Sequence, residues 1–185
     1  DHGSTRDFNE QIKYVDFASE MNWEYSLIDA GWPDMKGGKM EDVVEYAANK
    51  NIGILLWYRS GGDIIETPES PGYIMSDPMK RKLEFKRLNG LGVKGIKVDF
   101  FHSDNQFMVN LYLDILKDAA DHQLLVVFHG CTLPRGWRRT WPNLMSMEAV
   151  RGAECYLWDP RFPAEAPMYN NILAFTRNAV GPMDY

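Results

Sequence analysis

A helix–strand pattern that repeats about every 30 residues, the length of a βαβ unit, constrains the fold most. Apolar runs typical of buried strands lie near 25–29, 52–58, 93–99, 124–129 and 144–148. Helical spacing of apolar residues fills 7–21, 41–50, 78–89, 105–121 and 168–179. Parallel strands need such crossover helices between them. The sequence therefore predicts an α/β fold with a parallel sheet.

The architecture that suits this pattern best is part of a (β/α)8 barrel. No strand is followed by a glycine-rich phosphate loop, so a nucleotide-binding fold is the weaker option. The 185 residues are short of the roughly 250 of a complete barrel. We expect one domain over 1–185, truncated to roughly strands 2 to 7 of a barrel, with Gly181 able to begin the last strand. A loop over 61–75 is long enough to be functional.

Composition and charge narrow the function. The net charge of −6 argues against a nucleic-acid partner, which would favour a basic face. No apolar run reaches the 18 residues or so that a membrane span needs, and no signal-peptide pattern opens the chain. The two cysteines, Cys131 and Cys155, fit neither a disulfide framework nor a zinc cluster.

The central strand, 93–98, delivers one carboxylate, Asp99, at its C-terminal end. Loops after the strands of a parallel α/β enzyme face the substrate, which makes Asp99 a catalytic candidate. Lys97 lies two residues away on the same face of the strand, where its charge would keep Asp99 ionised. The alternative is that Asp99 only caps or salt-bridges the strand end.

Other strand ends carry groups that could converge with Asp99. They are Asp29 with Trp32, His129, and the two acids Glu148 and Glu154. Aromatic residues beside paired carboxylates are typical of a sugar site, and hydrolysis of a glycosidic bond needs two carboxyl groups. Glu148 and Glu154 could instead be surface charges, although the apolar neighbours of Glu148 indicate partial burial and hence a partner or a metal.

Four motifs resemble the catalytic barrel of glycoside hydrolase family 97. They are Lys-Val-Asp-Phe at 97–100, Ile-Asp-Ala-Gly-Trp at 28–32, Arg-Thr-Trp-Pro-Asn-Leu at 139–144, and Met-Glu-Ala-Val-Arg-Gly-Ala-Glu at 147–154. The last two are highly specific together, and the similarity runs from the Asp29 strand to Gly181–Tyr185. The family comprises calcium-dependent α-glucosidases and α-galactosidases found mainly in Bacteroidetes.

The resemblance implies roles for single residues. Glu154 falls on the general acid and Glu148 on a calcium ligand, and the acid itself also touches the metal. Inverting members carry a His-Glu pair whose Glu is the base, whereas this chain has His129-Gly130. Retaining members use a strand-end Asp as nucleophile, which falls on Asp99. The chain therefore resembles the retaining, α-galactosidase-like branch, for which the two catalytic carboxyl groups should lie about 5–5.5 Å apart.

The same resemblance implies the setting of the site. Asp29, Trp32, Lys97 and His129 are expected to bind the terminal sugar of an oligosaccharide substrate. The family's flanking β-domains, one of which supplies a calcium ligand, lie outside this chain, and the family implies a periplasmic location. We expect an open barrel edge that favours self-association, and an isolated chain that is weakly active or inactive.

Three alternatives stay open. The chain could be a non-catalytic carbohydrate-binding or inactive barrel fragment, in which the sugar pocket survives and catalysis does not. It could be an α-glucosidase of the same family. It could also be a different metal-dependent barrel hydrolase with His129, Glu148 and Glu154 as ligands, although four histidines offer little support for that.

Overall fold

Strands and helices alternate along the chain in the computed structural model, which describes residues 4–61 and 69–185. The strands are Tyr25–Ile28 (β1), Gly53–Arg59 (β2), Gly95–Asp99 (β3), Leu125–Phe128 (β4) and Leu144–Met147 (β5). The α-helices are Phe8–Glu20 (α1), Met40–Ala48 (α2), Pro78–Leu91 (α3), Gln106–Asp121 (α4) and Phe162–Phe175 (α5). Short 3-10 helices lie at Ser4–Arg6, Trp32–Asp34, Trp137–Arg139, Ala153–Leu157 and Arg177–Val180. Of the loop predicted over 61–75, residues 62–68 lie outside the described residues.

The strands pair in chain order from β1 to β5, and every pairing is parallel. A doubly wound sheet reverses its strand order at a switch point, whereas barrel strands follow one another around the sheet. This order therefore confirms the predicted α/β fold and partial barrel. The possible strand at Gly181 is not formed. The N–H of Met147 in β5 does reach the Pro182 carbonyl at 3.5 Å, but proline has no N–H with which to continue a ladder.

Side-chain caps set the helix starts. The carboxylate of Asp7 accepts hydrogen bonds from the N–H groups of Asn9 and Glu10, so α1 begins after Asp7 rather than at the predicted entry signal, Ser4-Thr5. Asp77 caps α3, and α4 is capped by Asn105 rather than by Ser103, the first residue of a Ser-x-x-Gln capping-box pattern. Helix α5 starts at Phe162, ahead of the predicted 168, because proline is well tolerated in a first helical turn.

The core lies between the sheet and the helices. Ile54, Leu56, Ile96 and Val98 are at most 1% exposed, as expected for strands of a parallel sheet covered on both faces. The buried face of α3 contains Arg81, Phe85 and Leu88, whereas Met79 and Leu83, whose spacing from Leu88 would predict the same face, are exposed. Arg81 can be buried because its guanidinium donates two hydrogen bonds to Asp118 Oδ2 of α4, at 2.8 and 2.6 Å.

The sheet has an open side at β1, which pairs with β2 alone among the described strands. Leu27 of this strand and the nearby Phe17 and Trp23 are partly exposed, and the two rings meet edge to face. An apolar open edge of this kind was predicted, and self-association through it stays a prediction. No helix in the described part of the chain combines the length and hydrophobicity needed to cross a lipid bilayer.

Candidate active site

A pocket of about 1090 Å³ extends from the carboxyl ends of the strands along the open side of the sheet at β1. Six of the seven side chains predicted for the site line it: Asp29, Lys97, Asp99, His129, Glu148 and Glu154. The parallel register explains the convergence. Val98 pairs with Phe128, and Phe128 pairs with Met147, so the residues that follow these three become neighbours at one edge of the sheet.

Asp99 is the most enclosed of these carboxylates, at 6% exposed. Its Oδ2 accepts a hydrogen bond from the indole N–H of Trp57 at 3.1 Å and lies 3.2 Å from Nδ1 of His129. Its Oδ1 accepts the N–H of Phe100 at 2.6 Å. Burial favours the neutral acid, but the hydrogen bond and charge of His129 and the charge of Lys97 outweigh it, so the pKa of Asp99 lies below its usual value. Asp99 is therefore a fixed, ionised carboxylate.

His129 bridges several carboxylates. While Nδ1 faces Asp99, Nε2 lies 3.2 Å from Oε1 of Glu148 and 3.5 Å from Oδ2 of Asp184. Burial and the charge of Lys97 lower the pKa of His129, but Asp99 above all, and also Glu148, more than offset them and the net pKa is raised. A protonated imidazole would donate through both nitrogens, which links the Asp99 end of the site to Glu148.

Because Gly130 has no side chain, there is room beside it for the Asp99 carboxylate. It has a φ of +51°, and a Cβ built on it would lie 2.9 Å from Asp99 Oδ1 and 2.9 Å from the N atom of Phe100. Its own N–H donates to Oε2 of Glu148 at 2.8 Å. A side chain at position 130 and the observed placement of Asp99 therefore exclude each other.

Lys97 and Asp29 form an ion pair on the other side of Asp99. Nζ of Lys97 donates to Oδ2 of Asp29 at 2.8 Å, and Oδ1 of Asp29 accepts the N–H of Ala30 at 2.7 Å. Burial lowers the pKa of Lys97, but the charge and hydrogen bond of Asp29 outweigh it, and the net pKa is raised. Lys97 thus binds Asp29 directly and acts on Asp99 only through its charge.

Trp32 is the predicted site residue that the structure does not bring to the pocket. It is 7% exposed, belongs to the core, and packs edge to face on Tyr58. Its indole N–H donates to the Trp57 carbonyl at 2.8 Å. Since the Trp57 indole in turn donates to Asp99, Trp32 supports the residue that holds the carboxylate.

Three side chains could hold a cation. One ligand atom from each of His129, Glu148 and Glu154 lies within 4.8 Å of those of the other two. Burial, with the nearby Asp99 and Asp184, raises the pKa of Glu148, although His129 and the Gly130 N–H oppose this. The carboxylate oxygens of the two glutamates suit calcium, and the imidazole would also suit a softer ion such as zinc. The donor set therefore fits a divalent cation.

Asp184 is a site residue that the sequence analysis did not identify. The guanidinium of Arg177 donates to the carbonyls of Met147, Gly181 and Pro182, and so ties the last residues of the chain to β5. Asp184 thereby reaches His129, and its Oδ1 is buried without a hydrogen-bond partner. A buried acceptor without a donor agrees with a cation or water nearby.

Trp57 is a further site residue that the sequence did not assign, and its contact with Asp99 follows from strand pairing. It lies opposite Lys97 in the register between β2 and β3, two positions before the Arg59–Asp99 pair and on the same face of the sheet. The two cysteines are free, and burial raises the pKa of Cys131 to about 12, so this thiol is neutral.

Comparison with known proteins gives one family. The sequence profile described as Glycoside hydrolase 97 matches residues 1–150. A probable retaining α-galactosidase of Streptomyces bingchenggensis (strain BCW-1) is 34% identical over 187 residues, which cover 95% of this chain and 26% of that protein. A retaining α-galactosidase of Bacteroides thetaiotaomicron (strain VPI-5482) is 32% identical over 183 residues, covering 93% and 25%. The chain thus spans about a quarter of the length of these relatives.

Solved structures agree with the family. The crystal structure of a β-arabinopyranosidase superposes with a TM-score of 0.93 and 45% identity, over 99% of this chain and 29% of that one. A family 97 enzyme from Pseudoalteromonas sp. strain K8, in complex with acarbose, superposes with a TM-score of 0.75 and 22% identity over 97% and 31%. At that identity the second match supports the fold alone.

Proposed function

This chain belongs to glycoside hydrolase family 97, and on that premise we propose that its pocket cleaves terminal α-D-galactopyranosides with retention of configuration. The observation that carries the proposal is the enclosed, ionised Asp99 opposite a glycine at position 130. A general base at position 130 would need a side chain, and the glycine there has none. Two curated relatives, one named a probable retaining α-galactosidase and the other a retaining α-galactosidase, support the same assignment.

In the first step Asp99 Oδ attacks the anomeric carbon while Glu154 donates a proton to the departing glycosidic oxygen. The C–O bond to the leaving group breaks as the bond to Asp99 forms. In the second step Glu154 takes a proton from water, whose oxygen displaces Asp99 from the anomeric carbon. Exposed Glu154 is accessible to both the leaving group and water. The separation of about 5–5.5 Å between the two carboxyl groups stays a prediction.

The remaining site residues are proposed to bind the sugar or to support Asp99. Asp29 and Lys97 are proposed to bind sugar hydroxyl groups as an ion pair that can accept and donate. His129 lines the pocket and is proposed to contact the sugar as well as to hold Asp99 in place. Trp32, expected to touch the sugar, is more simply assigned to supporting Trp57.

Glu148 and Glu154 are proposed to hold calcium, with His129 and Asp184 beside them. When bound, the ion would neutralise part of the negative charge that these carboxylates concentrate and would fix the direction of Glu154. Calorimetric titration tests this independently of activity. Calcium should bind wild-type protein and bind Glu148→Gln at least tenfold more weakly. Binding of zinc in preference to calcium would instead support the alternative metal-dependent hydrolase.

A second candidate, β-L-arabinopyranosidase, is favoured by the 45% identity to a protein of that name. β-L-Arabinopyranose has the stereochemistry of α-D-galactopyranose but lacks the C6 hydroxymethyl group, so the same two carboxylates would serve both substrates. An α-glucosidase would have to accept an equatorial hydroxyl at C4. The periplasmic location stays a prediction.

Kinetics on p-nitrophenyl α-D-galactoside, β-L-arabinopyranoside and α-D-glucoside, with calcium and with EDTA, test the proposal in the protein at its full natural length. Cleavage of either of the first two, lost in Asp99→Ala, supports it. Azide added to Asp99→Ala should restore turnover and give the glycosyl azide of inverted configuration. Sugar binding without turnover in the wild-type protein would instead support the non-catalytic alternative.

A further inference from the structure

The segment from residue 69 onward in the β2–α3 loop lies against the ends of β1 and β2. The Ser70 carbonyl accepts the N–H of Gly31 at 2.9 Å, and the Pro71 carbonyl accepts the N–H of Arg59 at 3.1 Å. The guanidinium of Arg59 also stacks over the ring of Tyr73, 4.6 Å from its centre. Residue 69 therefore directly precedes backbone that is hydrogen-bonded to the ends of β1 and β2.

Glu69 lines the pocket and carries a carboxylate oxygen without a hydrogen-bond partner. The residue lines the same pocket as Asp29, Lys97 and Asp99. Its Oε2 is buried and has no hydrogen-bond partner. Lys97, a cation that lines the same pocket, is already paired with Asp29 at 2.8 Å. A buried acceptor without a donor carries a desolvation penalty, which a ligand that brings a donor would remove.

The strand order fixes the side of the pocket on which Glu69 lies. Its anchors belong to β1 and β2, on one side of Asp99 in β3, whereas Glu148 and Glu154 follow β5 on the other side. In the proposed function Glu154 faces the leaving group. Glu69 therefore faces the part of the sugar ring that is remote from the bond being cleaved.

We propose that Glu69 accepts a hydrogen bond from a hydroxyl group of the terminal sugar, on the side of the ring away from the leaving group. A carboxylate only accepts, and a sugar hydroxyl is a donor, so the two are complementary. The Asp29–Lys97 pair beside it offers both an acceptor and a donor for an adjacent hydroxyl. This inference rests on the proposed function and names a substrate-binding residue for it.

The test uses Glu69→Gln, which keeps the shape but removes the charge, with Glu45→Gln on the exposed face of α2 as matched control. Loss of a hydrogen bond to a charged group should lower kcat/KM about 10- to 150-fold on the favoured p-nitrophenyl glycoside, and the control should stay within about twofold. The 3-deoxy and 4-deoxy analogues of that glycoside complete a double-mutant cycle. With one analogue the Glu69→Gln penalty should vanish, because the hydroxyl that Glu69 binds is already absent. A full penalty with both analogues would overturn the proposal.

Binding of the free sugars keeps this test separate from the test of catalysis. Calorimetry with D-galactose and L-arabinose measures affinity whether or not any glycoside is cleaved. Weaker binding to Glu69→Gln by a similar factor supports the assignment even if turnover fails. Equal binding by the wild-type protein, Glu69→Gln and Glu69→Ala, or no binding by any of them, would overturn it.

Discussion

Replacement of His129 by alanine should lower kcat far more than it raises KM. The imidazole contacts the Asp99, Glu148 and Asp184 carboxylates at 3.2, 3.2 and 3.5 Å, so its principal contacts are with the catalytic machinery. Without it, Asp99 loses one of its donors and a nearby positive charge.

The size of the effect follows from the contact with Asp99. A hydrogen bond to a charged group contributes about 1.5–3 kcal/mol, and each 1.36 kcal/mol is about tenfold in rate. A loss confined to the transition state therefore predicts a fall in kcat of about 10- to 150-fold with KM within about threefold. His129→Gln, which keeps one N–H donor, should recover part of the loss.

Steady-state kinetics with saturating calcium measure this split, and thermal unfolding checks that the variants are folded. His102→Ala is the matched control, because His102 lines the same pocket but is exposed and contacts the Phe100 ring instead of a carboxylate. A rise in KM of more than tenfold with kcat unchanged would refute the positioning role and leave His129 as a substrate-binding residue alone.

Three further predictions address the site and the fold. Gly130→Ala should reduce kcat at least tenfold, because its Cβ would lie 2.9 Å from Asp99 Oδ1, and pre-steady-state kinetics should place the loss in formation of the glycosyl-enzyme. Arg81→Ala should lower the free energy of unfolding by about 3–5 kcal/mol in urea titrations, because it leaves the buried Asp118 carboxylate with only the exposed Lys82 ammonium 3.6 Å away. Burial opposes ionisation of Glu84, but hydrogen bonds from an arginine and a tyrosine hold its pKa below the usual 4.5. Glu84 thus stabilises the fold above pH 4.5 and less as the pH falls through its lowered pKa, so Glu84→Gln should lower Tm at pH 7 and leave Tm nearly unchanged at acid pH.

Each of these three predictions is given a control variant or a result that would contradict it. For Gly130 the control is Gly90→Ala in α3, where a Cβ would meet nothing within 4 Å, and unchanged kcat in Gly130→Ala would contradict the crowding argument. Lys82→Ala, which removes an exposed charge 3.6 Å from Asp118, should cost less than about 1 kcal/mol. An equal Tm loss for Glu84→Gln at pH 7 and at acid pH would show that the glutamate acts by packing rather than by charge.

The strands could be predicted from sequence because each is a short apolar run between helical segments. All five observed strands lie within or next to the predicted ranges. The carboxylates at their ends converge because the strands pair in order and in parallel. Asp99 and Lys97 needed only the two-residue period of a strand to be placed on the same face.

Features that depend on tertiary contacts could not be predicted from the sequence. Arg81 is buried in α3 because Asp118 pairs with it across two helices, which no local pattern reveals. Trp32 was expected to bind the terminal sugar, but its indole N–H donates to the Trp57 carbonyl inside the core. Asp184 reaches the site because Arg177 holds the preceding carbonyls, a contact between segments that periodicity does not describe.

Covalent trapping tests the central claim most directly. A slow 5-fluoro-α-galactosyl fluoride, or its arabinosyl equivalent, should label the full-length protein once per active site, and peptide mass spectrometry should locate the sugar on Asp99. The proposed mechanism predicts this label, its absence in Asp99→Ala, and retention of configuration by proton NMR of the first sugar released. A label on another carboxylate, or release of the inverted anomer, would contradict the assignment of Asp99 as nucleophile.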